Sequence, residues 1–123
     1  MPEIFRALRA LWFKLDPEYS QRITLAALGA LGKTHPLDQY LAENFRGKLP
    51  LCPVRVMGID FPNPVGLAAG LDKNACAVDG LGAFGFGFLE LGTVTPLPQT
   101  GNPRKRLFRF IKEEALINRM GFN

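Results

Sequence analysis

Three short segments combine residue types that can hold a flat, anionic small molecule. The first is Gly66-Leu67-Ala68-Ala69-Gly70-Leu71-Asp72-Lys73, where an apolar run gives way to a helical pattern. Small residues at Ala68, Ala69 and Gly70 let a planar ligand approach the backbone closely. Lys73 adds a cation at the same rim, able to stabilise a developing anion or pair with a carboxylate. The second is Glu90-Leu91-Gly92-Thr93-Val94-Thr95-Pro96, in which Thr93 offers a hydroxyl to a polar ligand edge. Glu90, on a strand expected to be buried, calls for a partner there. The third is Ile117-Asn118-Arg119-Met120-Gly121-Phe122-Asn123. Asn118 supplies two donors and an acceptor, and Gly121 lets backbone amides turn toward an anion. Each segment also has a plain structural account. The first is then a tight βα turn with a solvent-facing lysine, the second a strand-end threonine bonded to its own backbone, and the third a frayed terminus.

The elements that must position these segments follow from periodicity. Ile4, Leu8, Leu11, Trp12 and Leu15 lie on one face of a helix predicted over 3–15, with Arg6, Arg9 and Lys14 off that face. Asp16-Pro17-Glu18 breaks that helix and starts another, since Asp caps and Pro fits the first helical position. The second helix is predicted to run to about Leu31 with Tyr19, Ile23, Ala26, Ala27 and Leu31 inward. Gly29 and Gly32 weaken and end it. A third, short helix spans Pro36 to about Phe45, using Leu37, Tyr40, Leu41 and Phe45.

From Gly47 the texture changes to Gly, Pro and β-branched residues, which places a boundary near 46–50. Val54-Arg55-Val56 and Ile59-Asp60-Phe61 alternate across Gly58 as a hairpin. Val65–Ala68 and Phe86–Leu91 read as buried strands, with a helix from Asn74 to about Phe84 between them. Cys76, Val78, Leu81 and Phe84 are that helix's apolar contacts. Strand, helix, strand at this spacing is a βαβ unit and so a parallel pair, whose carboxyl edge is where ligands sit. Pro96–Pro103 is a loop, and Arg106–Ile111 with Ala115–Ile117 a further hairpin.

Composition narrows the field. The chain has 123 residues, 47% hydrophobic and 21% charged, which excludes an intrinsically disordered composition. The longest uncharged run, Leu91–Pro103, is far short of the about 20 apolar residues of a spanning helix. The start lacks the pattern of a secretory signal. The net charge is +4, and one dense basic cluster comprises Arg104, Lys105, Arg106, Arg109 and Lys112. That cluster reads as a solvated loop or as a patch for an anionic surface, and no RNA-binding or zinc-binding pattern accompanies it. Cys52 and Cys76 make no disulfide framework and are expected to be free thiols in a reducing compartment. His35 has no companions at ligand spacing, so no metal site is expected.

Taken in order, Asp16-Pro17-Glu18, Asn63 through Lys73, Gly85 through Pro96, Gly101-Asn102-Pro103-Arg104, Leu107-Phe108-Arg109 and Ile117 through Asn123 resemble the quinone-dependent (class 2) dihydroorotate dehydrogenases. The resemblance covers essentially the whole chain. It implies an α/β fold, the N-terminal part of a (β/α)8 TIM barrel preceded by a small helical membrane-associating extension. Residues 1–46 would be that extension and 47–123 the first part of the FMN-binding barrel. It implies oxidation of dihydroorotate to orotate in pyrimidine synthesis, with FMN as cofactor and a membrane quinone as acceptor. Ala69, Gly70, Leu71, Asp72, Lys73 and Thr93 match the flavin-side segments, and Lys73 matches a lysine touching flavin and substrate. Asn118, Arg119, Met120, Gly121 and Phe122 match the segment that holds orotate. Gln21 and Arg109 fall on the quinone side. Where the family usually has a histidine three residues after the Asp-Pro-Glu triplet, this chain has Gln21.

The resemblance also implies a peripheral membrane protein, on the cytoplasmic face of the inner membrane if bacterial, with no nucleic-acid partner. The family's catalytic base, a serine on a later barrel loop, is expected beyond Asn123. A full barrel takes roughly 250 residues, so 123 hold part of one, expected to be inactive alone. Two other readings accompany this one: a non-catalytic membrane-interacting fragment built on the 3–31 helical pair and the basic loop at 104–112, and an FMN barrel oxidoreductase with a soluble acceptor.

Overall fold

The computed structural model describes residues 3–34, 39–40, 42–44 and 52–123. In chain order these form helices α1 (Glu3–Trp12) and α2 (Pro17–Leu31), then strands β1 (Val54–Val56), β2 (Ile59–Phe61) and β3 (Gly66–Leu67). Helix α3 (Val78–Gly82) and strands β4 (Phe88–Leu89), β5 (Leu107–Phe110) and β6 (Ala115–Asn118) follow. They divide into two compact units, Met1–Thr24 with Thr95–Asn123, and Leu25–Val94. The boundary expected near 46–50 lies outside the described residues. So do Leu37, Leu41 and Phe45 of the expected third helix, although Gln39, Tyr40, Ala42, Glu43 and Asn44 are helical.

In the first unit, α1 stops at Trp12 and the chain turns through Phe13–Leu15. Asp16 then caps α2: its Oδ1 accepts from the amides of Glu18 at 3.0 Å and Tyr19 at 3.1 Å. The face of α2 differs in part from the predicted one. Ile23 and Leu31 are half-buried, but Tyr19, Ala26 and Ala27 are exposed, and Glu18 and Ser20 are buried. A charge partner rather than an apolar neighbour sets the rotation of the first turn. β5 and β6 pair antiparallel from Leu107 opposite Asn118 to Phe110 opposite Ala115. The four-residue connection Ile111–Glu114 closes with Glu114 at φ 49°.

In the second unit, β1 and β2 form the expected hairpin, with Val56 opposite Ile59. Its two turn residues, Met57 and Gly58, both have positive φ (52° and 78°), as a two-residue type I′ connection requires. β3 and β4 pair in parallel, Gly66 opposite Phe88 and Leu67 opposite Leu89, with α3 in the crossover. This is the βαβ unit of an α/β fold. Its strands are less buried than expected. Gly66, Leu67 and Leu89 are half-buried, while Val65, Phe88 and Leu91 are exposed, because among the described residues each strand has one neighbour. Glu90 is exposed too, so it does not need the buried partner that was expected.

The helix predicted over 74–84 is shorter than its pattern. Asp72 is buried, and its two carboxylate oxygens take the amides of Cys76 (2.9 Å) and Ala77 (2.8 Å). Ala75 sits at φ 56°, outside any right-handed helix. Residues 72–77 are therefore a carboxylate-anchored turn, and Cys76, expected as an apolar contact, is exposed. Ala77, Leu81 and Ala83 are the buried apolar residues of α3 and its flanks. The second half of α2 crosses this region at backbone contact. A Cβ at Gly80 would collide with the Leu28 carbonyl oxygen, and one at Gly29 with that of Cys76. No helix among the described residues is long and apolar enough to cross a membrane.

Candidate functional site

The parallel pair sends two segments out of the same end. Beyond β3 come Ala68, Ala69, Gly70 and Leu71; beyond β4 come Glu90, Leu91, Gly92 and Thr93. The Glu90 amide bonds the Leu67 carbonyl at 2.9 Å, which carries the strand pairing one step toward that edge. Ala69 and Thr93 are exposed and Lys73 is half-buried. Gly70 has φ 107°, a conformation that side chains rarely adopt, and nothing stands within 4 Å of the place a Cβ would take. Ala68, Ala69 and Gly70 keep the β3 side of this edge small, Leu71, Leu91 and Val94 are exposed apolar residues along it, and Thr93 and Lys73 belong to the same two segments.

Asp72 has a different place in the same segment. Both its oxygens are engaged by the amides of Cys76 and Ala77, so it holds the loop on which Lys73 stands. Among the described residues no group of three His, Cys, Asp or Glu is arranged to hold a metal ion. Cys52 and Cys76 are both free thiols.

The 117–123 segment lies in the other compact unit and is tied down rather than frayed. The amide of Asn102 donates to the Met120 carbonyl at 3.1 Å, and its side-chain amide to the Arg119 carbonyl at 2.7 Å. The Arg119 guanidinium donates to the Lys105 carbonyl from Nε (3.1 Å) and Nη2 (3.0 Å) and lies over the Phe108 ring. Arg119 therefore braces its own loop. Asn118 ends β6 exposed, Gly121 has φ 78°, and Phe122 is 73% exposed.

The α1–α2 corner meets β5 and the residues just before it through three arginines, Arg104, Arg106 and Arg109. Arg106 Nη2 lies 2.9 Å from Glu18 Oε1, and Nε lies 3.2 and 3.3 Å from Oε1 and Oε2. Arg104 adds a longer contact to the same carboxylate at 3.5 Å. The Glu18 and Arg106 side chains are 10% and 12% exposed. The hydrogen bond from Arg106, with the charges of Arg106 and Arg104, holds the Glu18 carboxyl below its ordinary range against burial and Asp16, which both push it up. Arg106 Nη1 also donates to the carbonyls of Thr100 and Asn102. Arg109 stacks over the Phe13 ring at 4.3 Å and donates to the Phe13 carbonyl at 3.2 Å and that of Leu15 at 3.4 Å. A groove of about 300 Å³ runs between Glu18, Tyr19, Arg22, Arg104 and Arg106. Gln21 is half-buried on α2, one turn beyond Glu18.

The basic cluster is thus not wholly a solvated loop. Arg104, Lys105 and Lys112 are exposed, but Arg106 and Arg109 are structural cations. Sequence reading missed Glu18 and Arg106 as a pair. The available signal was a guanidinium beside an alternating apolar run, Leu107-Phe108-Arg109-Phe110, where a cation packed against apolar neighbours needs a partner.

Comparison with known proteins gives a consistent set of relatives. A family model described as dihydroorotate dehydrogenase matches residues 51–123. A protein of Methylococcus capsulatus named dihydroorotate dehydrogenase (quinone) is 57% identical over 119 residues, covering 94% of this chain and 33% of the relative. Proteins of the same name from Burkholderia cenocepacia and Azotobacter vinelandii are each 56% identical over 120 residues, covering 98% of this chain and 33% of each relative. Among solved structures, dihydroorotate dehydrogenase from Eimeria tenella in complex with ferulenol superimposes with a TM-score of 0.55 at 47% identity. That match covers 70% of this chain and 25% of the other. The chain spans about a third of the length of the curated relatives it matches.

Proposed function

The chain belongs to the dihydroorotate dehydrogenase family, and from that premise we propose that it contributes to an enzyme that oxidises dihydroorotate to orotate with a quinone as acceptor. Two electrons and two protons leave the substrate as its carbon–carbon single bond becomes double, and the quinone is reduced to the quinol. The observation that supports this reading is the carboxyl edge of the parallel β3–β4 pair, where Gly70 has open space at its Cβ position, Ala69 and Thr93 are exposed, and Lys73 follows in the same segment. FMN is the cofactor proposed for that edge; bound there, it supplies two-electron uptake from the substrate and transfer onward to the acceptor.

The residues then divide the work. Backbone at Ala69 and Gly70, with the Thr93 hydroxyl, would hold the flavin. The Lys73 ammonium offsets negative charge that accumulates during oxidation, an interaction stronger in the transition state than in the ground state. Asn118, with the backbone through Arg119, Met120, Gly121 and Phe122, holds the planar substrate and its carboxylate. Gln21 and Arg109 belong to the acceptor end. Proton removal from the substrate is not assigned to any of these residues.

We further propose that 1–46 is a helical extension lying on a membrane surface and that 47–123 begins a (β/α)8 barrel. The exposure of Leu8, Leu11 and Trp12 on α1, beside the cations Arg6 and Arg9, supports the first part. The βαβ unit supports the second. A peripheral location on an anionic membrane follows, on the cytoplasmic face if the source is bacterial, with the product entering pyrimidine synthesis. The described strands form separate two-stranded sheets, so the 123-residue chain alone is proposed to turn over no dihydroorotate.

The test is an assay of the full-length protein with dihydroorotate and a soluble quinone analogue, alongside its flavin absorbance. Quinone reduction with one FMN per chain supports the reading. Turnover with fumarate or NAD in place of quinone overturns it. Flotation with anionic liposomes tests the membrane part: protein that stays in the soluble fraction overturns that part alone.

A further inference from the structure

Glu18 and Arg106 lie outside the flavin edge and the substrate segment, yet they form the most buried ion pair among the described residues. Their positions in the chain give the pair a second property. Gln21 is three residues beyond Glu18 on α2, and Arg109 is three residues beyond Arg106, on β5. One contact therefore joins the two elements that carry the acceptor-end residues.

We propose that the Glu18–Arg106 pair is a positioning latch for the acceptor end, setting where Gln21 and Arg109 stand relative to each other. This rests on the functional reading above. Residues three apart on a helix share a face, so the rotation of the first turn of α2 that seats Glu18 on Arg106 also sets where Gln21 is presented. The forked geometry makes the latch directional. Two nitrogens of one planar guanidinium meet one carboxylate, so both distance and angle are held, which a point charge does not do. Arg106 also grips the carbonyls of Thr100 and Asn102, which anchors it from the loop side.

Arg109 supplies the other half of the clamp. It stacks on Phe13 and bonds the carbonyls of Phe13 and Leu15, immediately before the Asp16 cap. The corner between α1 and α2 is thus held at 13–15 by Arg109 and at 18 by Arg106. Loss of the Glu18 tie leaves Arg109 holding a corner whose helix can rotate. The expected consequence of losing Glu18 falls on the acceptor. Arg106 also braces the 119–120 backbone, since its carbonyl accepts the Arg119 amide at 2.8 Å and its Nη1 holds Asn102. The acceptor-against-substrate split is therefore read on Glu18→Gln. Glu18 and Arg106 are positioning residues.

The experiment uses the full-length protein and its Glu18→Gln, Arg106→Lys and charge-exchanged Glu18→Arg/Arg106→Glu variants. Steady-state parameters are measured for a short-chain ubiquinone analogue, for dihydroorotate, and with a soluble redox dye as acceptor. The latch predicts that Glu18→Gln raises the quinone KM roughly fivefold or more while the dihydroorotate KM and dye-supported turnover stay within about twofold. Arg106→Lys keeps the charge and removes the fork, so it raises the quinone KM to a smaller degree. It carries the quinone comparison if Glu18→Gln does not fold. The exchanged pair restores part of the quinone KM. With a wild type that reduces quinone, an unchanged quinone KM in Glu18→Gln overturns the latch alone, as does an equal change in the quinone, dihydroorotate and dye parameters. A wild type that reduces no quinone overturns the functional reading and the latch with it.

Discussion

The Arg106 guanidinium meets the carboxylate of Glu18, 88 residues earlier in the chain, through two nitrogens and both oxygens, the shortest contact being 2.9 Å. The two side chains are 12% and 10% exposed and form part of the wall of the groove between α2 and the 104–106 segment. The Asp16 cap, one turn of α2 and the start of β5 all converge on this contact.

The pair makes stability depend on pH in a defined direction. The Glu18 carboxyl is lowered from 4.5, first by the hydrogen bond from Arg106 and then by the charges of Arg106 and Arg104, with burial and Asp16 opposing. A group lowered in the folded state contributes stability that is fully present above its unfolded value and is lost as pH falls toward its folded one. The advantage of wild type over Glu18→Gln is therefore constant above about pH 4.5 and shrinks below it. Urea midpoints of the two proteins between pH 3 and 7 measure this, and an advantage that grows on acidification contradicts it.

Removing one partner costs more than removing both. Arg106→Met leaves the Glu18 carboxylate facing only the more distant, exposed Arg104, and destabilises the full-length protein by roughly 1–2 kcal/mol. Glu18→Met/Arg106→Met deletes both charges and is less destabilised than Arg106→Met alone. Thermal or denaturant unfolding of the two singles and the double closes the cycle, and additive losses contradict a coupled pair.

What was legible in the sequence was local. Asp16 and Pro17 announce the start of α2 because cap and first-turn preferences are set by adjacent residues. The β1–β2 hairpin is announced by two alternating triplets around Gly58, and the βαβ unit by its apolar runs. The errors share a cause: a side chain diverted a local preference. Asp72 captured the amides of Cys76 and Ala77 and delayed the helix expected from Asn74. Glu18 turned α2 away from the face its apolar residues suggest, toward a partner that no local pattern connects to it. The Gly66–Lys73 segment is legible as a strand-to-helix junction, whereas the partner of Arg106 is not, because its neighbours Arg104 and Lys105 are exposed cations.

The Asp72 anchor predicts a localised loss. Asp72→Ala leaves the amides of Cys76 and Ala77 without their acceptor and costs about 2 kcal/mol, with Asp72→Asn intermediate because it keeps one acceptor oxygen. Hydrogen exchange at residues 76 and 77 accelerates before that of the β1–β2 hairpin. Equal acceleration in both places means that Asp72 acts on global stability only.

The close approach of α2 and α3 predicts opposite signs at two neighbouring glycines. Gly80→Ala drives a methyl group into the Leu28 carbonyl and costs roughly 2 kcal/mol. Gly82→Ala meets nothing within 4 Å among the described residues and adds helix propensity to α3, so it is neutral or stabilising by up to about 0.5 kcal/mol. Denaturant midpoints of the two variants decide it, and equal destabilisation contradicts the geometry.

Lys73 is the residue on which the chemical reading is most exposed. It is half-buried, directly after Asp72, whose two oxygens are held by the following turn. Its ammonium is thus attached to a fixed backbone at the edge proposed for the flavin, and it has little reorganisation to undergo when negative charge develops. Lys73→Ala in the full-length protein lowers dihydroorotate-dependent turnover roughly a hundredfold, and Lys73→Arg recovers only part because a planar guanidinium does not reproduce a compact ammonium. The unfolding midpoint is measured alongside turnover, because Lys73 is half-buried and itself takes part in an interaction within the fold. A variant that keeps turnover within a few-fold of wild type removes Lys73 from the chemistry. A variant that loses turnover and stability together shows instead that Lys73 supports the loop that Asp72 organises.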